Sequence, residues 1–253
     1  MSPLIFGVVG QTGGSFTPTD ISGIELWLDA SDTSTITDSS GSVSQWDDKS
    51  GNSRHAVQGT GSAQPSTGVA TINSKNAIRF DGTTDFMQAT PALGTANEFT
   101  WLIVATYQVT GVSEVLIGAS NGGYASEDEW VLVRQLSGAY GGSVNGDTSA
   151  QDNGSVGTVD TNPHLWSARY TKSGDEFELL IDGTRQWIET SLTSSEPDLT
   201  QEIDIAAGDN GGSLFGYAQV DIAEILMYNS DLSIADREAL EQYLAAKWGI
   251  TLS

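Results

Sequence analysis

One amphipathic helix, at the C-terminal end, constrains this chain more than any other feature. Ser233 is a natural N-cap, with Asp236 three residues on to complete a capping-box-like pair. Leu240, Tyr243, Leu244 and Trp248 recur at helical spacing, and Gly249 is placed to end the helix. Everything before it reads as strands and turns. The run Gly216–Asn229 leads into the helix and is rich in β-branched and aromatic residues. Its alternation breaks: Val220 and Ile222 fall on one face, Ile225 and Met227 on the other. Either a bulge near Ala223-Glu224 or burial on both faces accounts for that.

Other strand-like runs are Ile24–Leu28, where Glu25 and Trp27 alternate with aliphatics, and Phe99–Tyr107, the strongest by β propensity. Val115–Ile117, Trp130–Arg134, Leu165–Thr171, Phe177–Ile181 and Gln186–Ile188 follow. Asp182-Gly183 turns one hairpin, and Ala77–Met87 reads as another around Asp81-Gly82, with Phe80 and Phe86 pointing into the core. Residues 58–74 are rich in Gly, Ser, Thr and Gln and read as loop. Many short strands, 29 glycines and one terminal helix predict an all-β fold, a two-sheet antiparallel sandwich.

Three motifs carry a family resemblance: Trp46-x-Asp48-x-Ser50-Gly51-Asn52, Phe80-Asp81-Gly82-Thr83-x-Asp85-Phe86, and Asp221–Asn229 followed by Asp231-Leu232-Ser233 and the helix. Together they resemble the laminin-G-like, concanavalin A-like jelly-roll domains found in phage and bacterial surface proteins. The resemblance spans roughly residues 21–250. It implies a single jelly-roll domain over 21–253, preceded by an extended arm over 1–20. In that arm Leu4, Ile5, Phe6, Val8 and Val9 form an apolar tip on a Gly/Ser/Thr/Pro tether. The tip is either an added strand of the domain or an assembly arm that docks on another subunit.

Ten Lys and Arg stand against 33 Asp and Glu, a formal net charge of −23. That excludes a phosphate-backbone partner, so no nucleic acid is expected, and it disfavours anionic membranes. No stretch is long and apolar enough to span a bilayer, and the N-terminus lacks the basic region of a signal peptide. There is no cysteine, hence neither disulfide nor thiolate chemistry.

Catalytic patterns are sparse. The nearest to the carboxylate strand motif of glucanases sharing this fold is Glu202-Ile203-Asp204-Ile205-Ala206-Ala207, which lacks the third carboxylate. Glu202 and Asp204 read as the outward face of a strand whose isoleucines point inward. His55 and His164 are the two histidines, with no nucleophile elbow and no zinc spacing around them. No catalytic residue is named and no enzyme is expected.

Ca²⁺ is the one metal the loops admit, through Asp47, Asp48, Asp81, Asp85, Asp128, Asp147, Asp152 or Asp209, with no ligand set specified and ordinary acidic turns as the alternative. No other cofactor is expected. Sugar binding through exposed rings has three candidates, Tyr124, Trp130 and Tyr140, each equally readable as a structural aromatic.

Two functions stay open. The first is a non-enzymatic structural protein on the exterior of a virus particle, a bacteriophage capsid decoration or fibre-type protein held by its arm, with capsid or tail proteins as partners. The second is a carbohydrate-binding adhesion module for host-surface glycans; a degenerate glycan hydrolase ranks third. A homo-oligomer is expected, with no residue fixing its order.

Overall fold

The computed structural model describes residues 16–90, 98–110, 114–119, 130–136, 139–144, 159–171, 174, 176–190, 202–209 and 213–253. Its strands in chain order are β1 (Ile24–Asp29), β2 (Ile36–Ser39), β3 (Ser42–Trp46), β4 (Ala56–Val57), β5 (Ser66–Ile72), β6 (Lys75–Asp81), β7 (Met87–Ala89), β8 (Glu98–Tyr107) and β9 (Glu114–Ala119). They continue as β10 (Trp130–Leu136), β11 (Ala139–Val144), β12 (His164–Thr171), β13 (Glu176–Ile181), β14 (Thr184–Glu189), β15 (Ile203–Ile205), β16 (Gly208–Asp209), β17 (Leu214–Phe215) and β18 (Gln219–Tyr228). The helix α1 (Ile234–Trp248) closes the chain.

The strands form an antiparallel β-sandwich. One sheet runs β14-β13-β12-β8-β18-β6-β5. The other runs β11-β10-β9-β15-β7-β4-β3, with β2 beside β3. A single pairing of Ser42 with Ser66 joins the two into one curled surface. β18 organises the first sheet. It pairs β8 along one side; on the other, β6 takes its first half and β1 its second.

The register along β18 shifts between Ile222 and Glu224, so the expected bulge is present. It brings Val220, Ile222, Ile225 and Met227 all onto the inter-sheet core. Ala223, Leu226 and Tyr228 face the other way, into a second core beneath α1. β8 is likewise buried on both faces: Phe99, Trp101 and Ile103 look inward, Leu102 and Val104 toward the helix. The first sheet is thus the middle of three layers.

Helix α1 forms as its sequence specifies. Ser233 Oγ accepts the Asp236 N–H at 3.2 Å, and Gly249 closes the helix at φ +72°. Leu240, Leu244 and Trp248 are buried, with Tyr243 half-buried beside them. Phe16 meets the Tyr243 ring edge-on, and Tyr228 donates its hydroxyl to the Pro18 carbonyl at 2.8 Å. Residues 16–20, counted with the arm from sequence, therefore pack on the helix layer. Leu4, Ile5, Phe6, Val8 and Val9 lie outside the described residues.

The Trp-x-Asp-x-Ser-Gly-Asn motif covers the outer edge of β1. Asp48 accepts the Trp27 N–H at 2.9 Å, and Lys49 donates its own N–H to the Trp27 carbonyl at 2.8 Å. Ser50 and Asn52 donate to the Glu25 carbonyl, and Asn52 also to that of Ile24. Side chains and one loop amide stand in for a neighbouring strand, so the edge offers no template for pairing.

Two sequence expectations change. Residues 58–74 are not all loop, because Ser66–Ile72 forms β5 against β6. Ala77–Met87 is not a hairpin. β6 pairs β5 and β18, whereas β7 pairs β4 and β15, so Asp81–Phe86 carries the chain from one sheet to the other. Phe80 is in the core as expected, but Phe86 is only half-buried. The β13–β14 hairpin is present, with Asp182 and Gly183 both at positive φ, as its tight turn requires.

Candidate functional site

Three clusters of charge lie among the described residues, and two are structural. The first centres on Glu224, which is 0% exposed. It accepts from the indoles of Trp27 at 2.8 Å and Trp248 at 2.6 Å. Lys247 lies 2.7 Å from it and 2.8 Å from Asp29, whose other oxygen meets Lys49. Burial raises the Glu224 pKa despite Lys247. Burial also works against the Asp29 carboxylate, but Lys247, Ser31 and Lys49 outweigh it and hold that pKa low. Lys247 and Trp248 reach Asp29 and Glu224 across the helix–sheet seam, so the cluster fastens α1.

The second cluster lies at the N-terminal end of α1. Arg169, Arg185 and Arg237 converge on Glu178, which is itself buried. Asp231 and Glu176 hold Arg169 from the other side, and Glu241 lies 3.6 Å from Arg237. A shallow cleft opens here between the arginines, Leu232 and Ile234. Four carboxylates against three guanidiniums leave it no positive charge with which to hold an anion.

The third cluster is at one end of the sandwich, where three segments meet. The inter-sheet link Asp81–Phe86 comes first. Asp81 accepts the N–H groups of Thr83, Thr84 and Asp85, and Gly82 at φ +74° lies so close to Gln219 that a Cβ there would sit 2.7 Å from it. The second segment is the start of β9, where the Val115 N–H donates to the Gly216 carbonyl at 2.7 Å. The third is Gly216–Gln219, entering β18. At this junction Phe86 and Tyr217, both half-buried, meet edge to face with ring centroids 6.3 Å apart.

Carboxylates belong to the same three segments. Asp85 is 8% exposed; burial and the Asp81 charge push its pKa up to about 6. Glu114 is 6% exposed, and burial, opposed only by the Gln219 backbone N–H, pushes it up to about 7. Its Oε2 is enclosed with no partner among the described residues. Asp81 itself is held low: hydrogen bonds from Thr83, Thr84 and Asp85 outweigh its burial. An apolar and an amphipathic ring beside polar groups are chemistry suited to a sugar, which stacks through C–H faces and hydrogen-bonds through hydroxyls.

The residues singled out from sequence fall elsewhere or outside what is described. Tyr124 lies outside the described residues. Trp130 and Tyr140 sit on strands, Trp130 in register with Ala119 and Val144, Tyr140 with Gln135; their side chains lie outside the described set. Among the eight loop aspartates, Asp128, Asp147 and Asp152 are outside it too. Asp48 and Asp81 spend their oxygens on turn N–H groups. Among the described residues no group of three or more His, Asp or Glu side chains is placed to hold a metal.

Asp204 differs from its sequence reading. It does face away from Ile203 and Ile205, but it is only 2% exposed, hydrogen-bonded to Gln88 at 2.9 Å, and burial pushes its pKa up to about 7. Glu202 is the exposed one. His164 has Asp182 at 2.6 Å on Nδ1 and Asp160 at 3.0 Å on Nε2. Burial disfavours its charged ring, but the two carboxylates prevail and raise its pKa. Phe86 and Tyr217 were missed as a site. Phe86 was legible only as a core residue, and Tyr217 only as the start of a strand.

No protein-family model matches the chain, and no curated protein matches it. Solved structures do. The binding domain of Paraclostridial Mosquitocidal Protein 1 aligns over 89% of this chain and 53% of its own, with TM-score 0.58 and 13% identity. A Trypanosoma rangeli sialidase in complex with sialic acid aligns over 90% of this chain and 33% of its own, with TM-score 0.59 and 14% identity. A mutant of that sialidase displaying trans-sialidase activity gives TM-score 0.61 at 16% identity, over 94% and 35%. This chain therefore spans about a third to a half of the proteins it resembles, and at such identities the likeness is one of fold, the β-sandwich.

Proposed function

We propose that this chain is a non-enzymatic binding module whose ligand is a carbohydrate, taken at the Phe86–Tyr217 corner. The observation that carries the reading is the pair of half-buried rings, edge to face, where three backbone segments are locked together. The similar structures support it: one is named a binding domain and another is a sialidase solved with sialic acid. A glycan panel probed with the full chain tests it. Tyr217→Ala and Phe86→Ala are expected to weaken binding at least about tenfold, since stacking an aromatic ring is worth roughly 0.5–1.5 kcal/mol beyond the area it covers. Melting temperatures should change little. If Tyr140→Ala abolishes binding and Tyr217→Ala does not, the site lies on β11 instead; no binding across the panel removes the carbohydrate reading.

The particle-exterior role is a second proposal, in which the module is displayed on a bacteriophage virion. The sequence supports it through the apolar tip Leu4–Val9 and its tether. Residues 16–20 pack against the helix layer, so an arm would leave the domain on that side. Deleting residues 1–14 should leave a folded domain that no longer joins the particle. Mass spectrometry of purified particles, scored for copies of this chain, is the check: hundreds indicate capsid decoration, a few dozen or fewer a tail or fibre, and none removes the role.

A further inference from the structure

We infer that the Phe86–Tyr217 corner selects its sugar by charge: it takes sugars that carry no acid group, favours a free amine, and rejects sialylated or uronic residues. This rests on the carbohydrate reading above and names the ligand class.

The geometry supplies the reason. Among the described residues, the ionisable groups at the corner besides the Tyr217 phenol are Asp81, Asp85 and Glu114, all carboxylates. Asp81 is exposed and Asp85 buried on the link that carries Phe86, and buried Glu114 accepts the backbone N–H of Gln219, two residues past Tyr217. The nearest guanidinium on the adjoining strands, Arg79 on β6, is spent: Asp221 takes its Nε at 2.7 Å and an Nη at 2.8 Å. Gln108 donates to the same Asp221 at 2.8 Å, and no ion pair among the described residues brings a Lys or Arg to Asp81, Asp85 or Glu114. Glu114 adds an independent sign. A carboxylate more than nine-tenths buried, with one oxygen unpartnered among the described residues, is a poor state for the free protein. An ammonium over the Tyr217 and Phe86 faces would meet both the ring quadrupoles and this negative field. A ligand carboxylate would meet the same field with the opposite sign, on a chain whose formal net charge is −23. Similarity of fold to a sialidase solved with sialic acid therefore does not extend to ligand choice.

The test uses matched oligosaccharides differing only at the terminal sugar: a free-amine hexosamine, its N-acetyl form, the neutral hexose, and the hexose capped with sialic acid. Binding to the full chain is measured by calorimetry at low and at physiological salt, near pH 7. The expected order is amine, then the two neutral forms, then the sialylated form at least tenfold weaker than its neutral parent. Raising the salt should narrow that gap, since screening relieves repulsion. Glu114→Gln should narrow the ratio of amine to neutral-sugar affinity; an unchanged ratio overturns the part assigned to Glu114. Sialylated sugar binding as well as or better than neutral overturns the charge selection and leaves the carbohydrate site standing. Binding of none of the four, with Tyr217→Ala without effect on any glycan of a broader panel, overturns the site itself.

Discussion

At the scale of the residue, two buried carboxylates behave oppositely. Glu224 has partners on every side, so removing it strands two indole N–H groups and unbalances Lys247. Glu224→Ala is expected to cost about 3–5 kcal/mol in denaturant unfolding, as for other broken buried pairs. Glu224→Gln, which keeps acceptors for the indoles, should cost less. Asp204 has Gln88 but no cation, and its folded pKa sits at about 7, above the ordinary carboxylate value. A raised folded pKa stabilises the fold while the group is protonated, so this contribution is complete at low pH and is lost as pH rises toward and through about 7. This contribution to stability should therefore fall from about pH 4 to about pH 7 and level off above it. Asp204→Asn should flatten that fall, with a relative gain at pH 8 of roughly 2–4 kcal/mol, read from melting curves across pH. The two-residue period identified the face on which Asp204 sits. It could not show that the face is covered there, because burial depends on segments distant in the chain. Tyr217 was hidden for the same reason: its partner, Phe86, is 131 positions away, and no local pattern joins them.

At the scale of the element, local signals were read well and distant pairings poorly. The N-cap, apolar face and terminal glycine of α1 all lie within 17 residues, and the structure matches each of them. Ser233→Ala should cost about 1 kcal/mol. Gly249→Ala should cost about as much or more, because its φ is +72° and a Cβ would come within 3.0 Å of Asn73. Chemical denaturation of the two variants checks both. By contrast, Asp81-Gly82 has the composition of a hairpin turn yet changes sheets, since β6 and β7 each take an earlier strand on one side and, on the other, a strand more than a hundred residues later. Sheet edges show the same division. A register shift between Leu179 and Leu180 bulges β14 against β13, which discourages outside pairing along that edge. The β1 edge depends instead on Asp48, which alone accepts the N–H groups of Trp27, Ser50 and Arg54. Asp48→Ala should lower stability by about 2 kcal/mol or more and open the edge to intermolecular pairing, seen by light scattering at high concentration.

At the scale of the whole molecule, a net charge of −23 spread over 253 residues sets a background of self-repulsion. Melting temperature should rise as monovalent salt goes from about 10 mM to about 150 mM, where screening shortens to roughly 8 Å; no rise would mean that the ion pairs offset the repulsion. Composition and strand spacing were enough to foresee an all-β sandwich closed by one helix. They were not enough to place a ligand, because the rings at the proposed site are brought together only by the crossing of the chain between sheets. The position of β18 has a consequence in time. It is an interior strand that joins β8 to both β6 and β1, yet it spans residues 219–228, and α1, which covers it, comes later still. A ribosome delivers β1, β6 and β8 long before the strand that holds them side by side. Until residues 219–228 emerge, a nascent copy has paired hairpins but no finished middle layer, and any chaperone that attends it must shield β1, β6 and β8 until then.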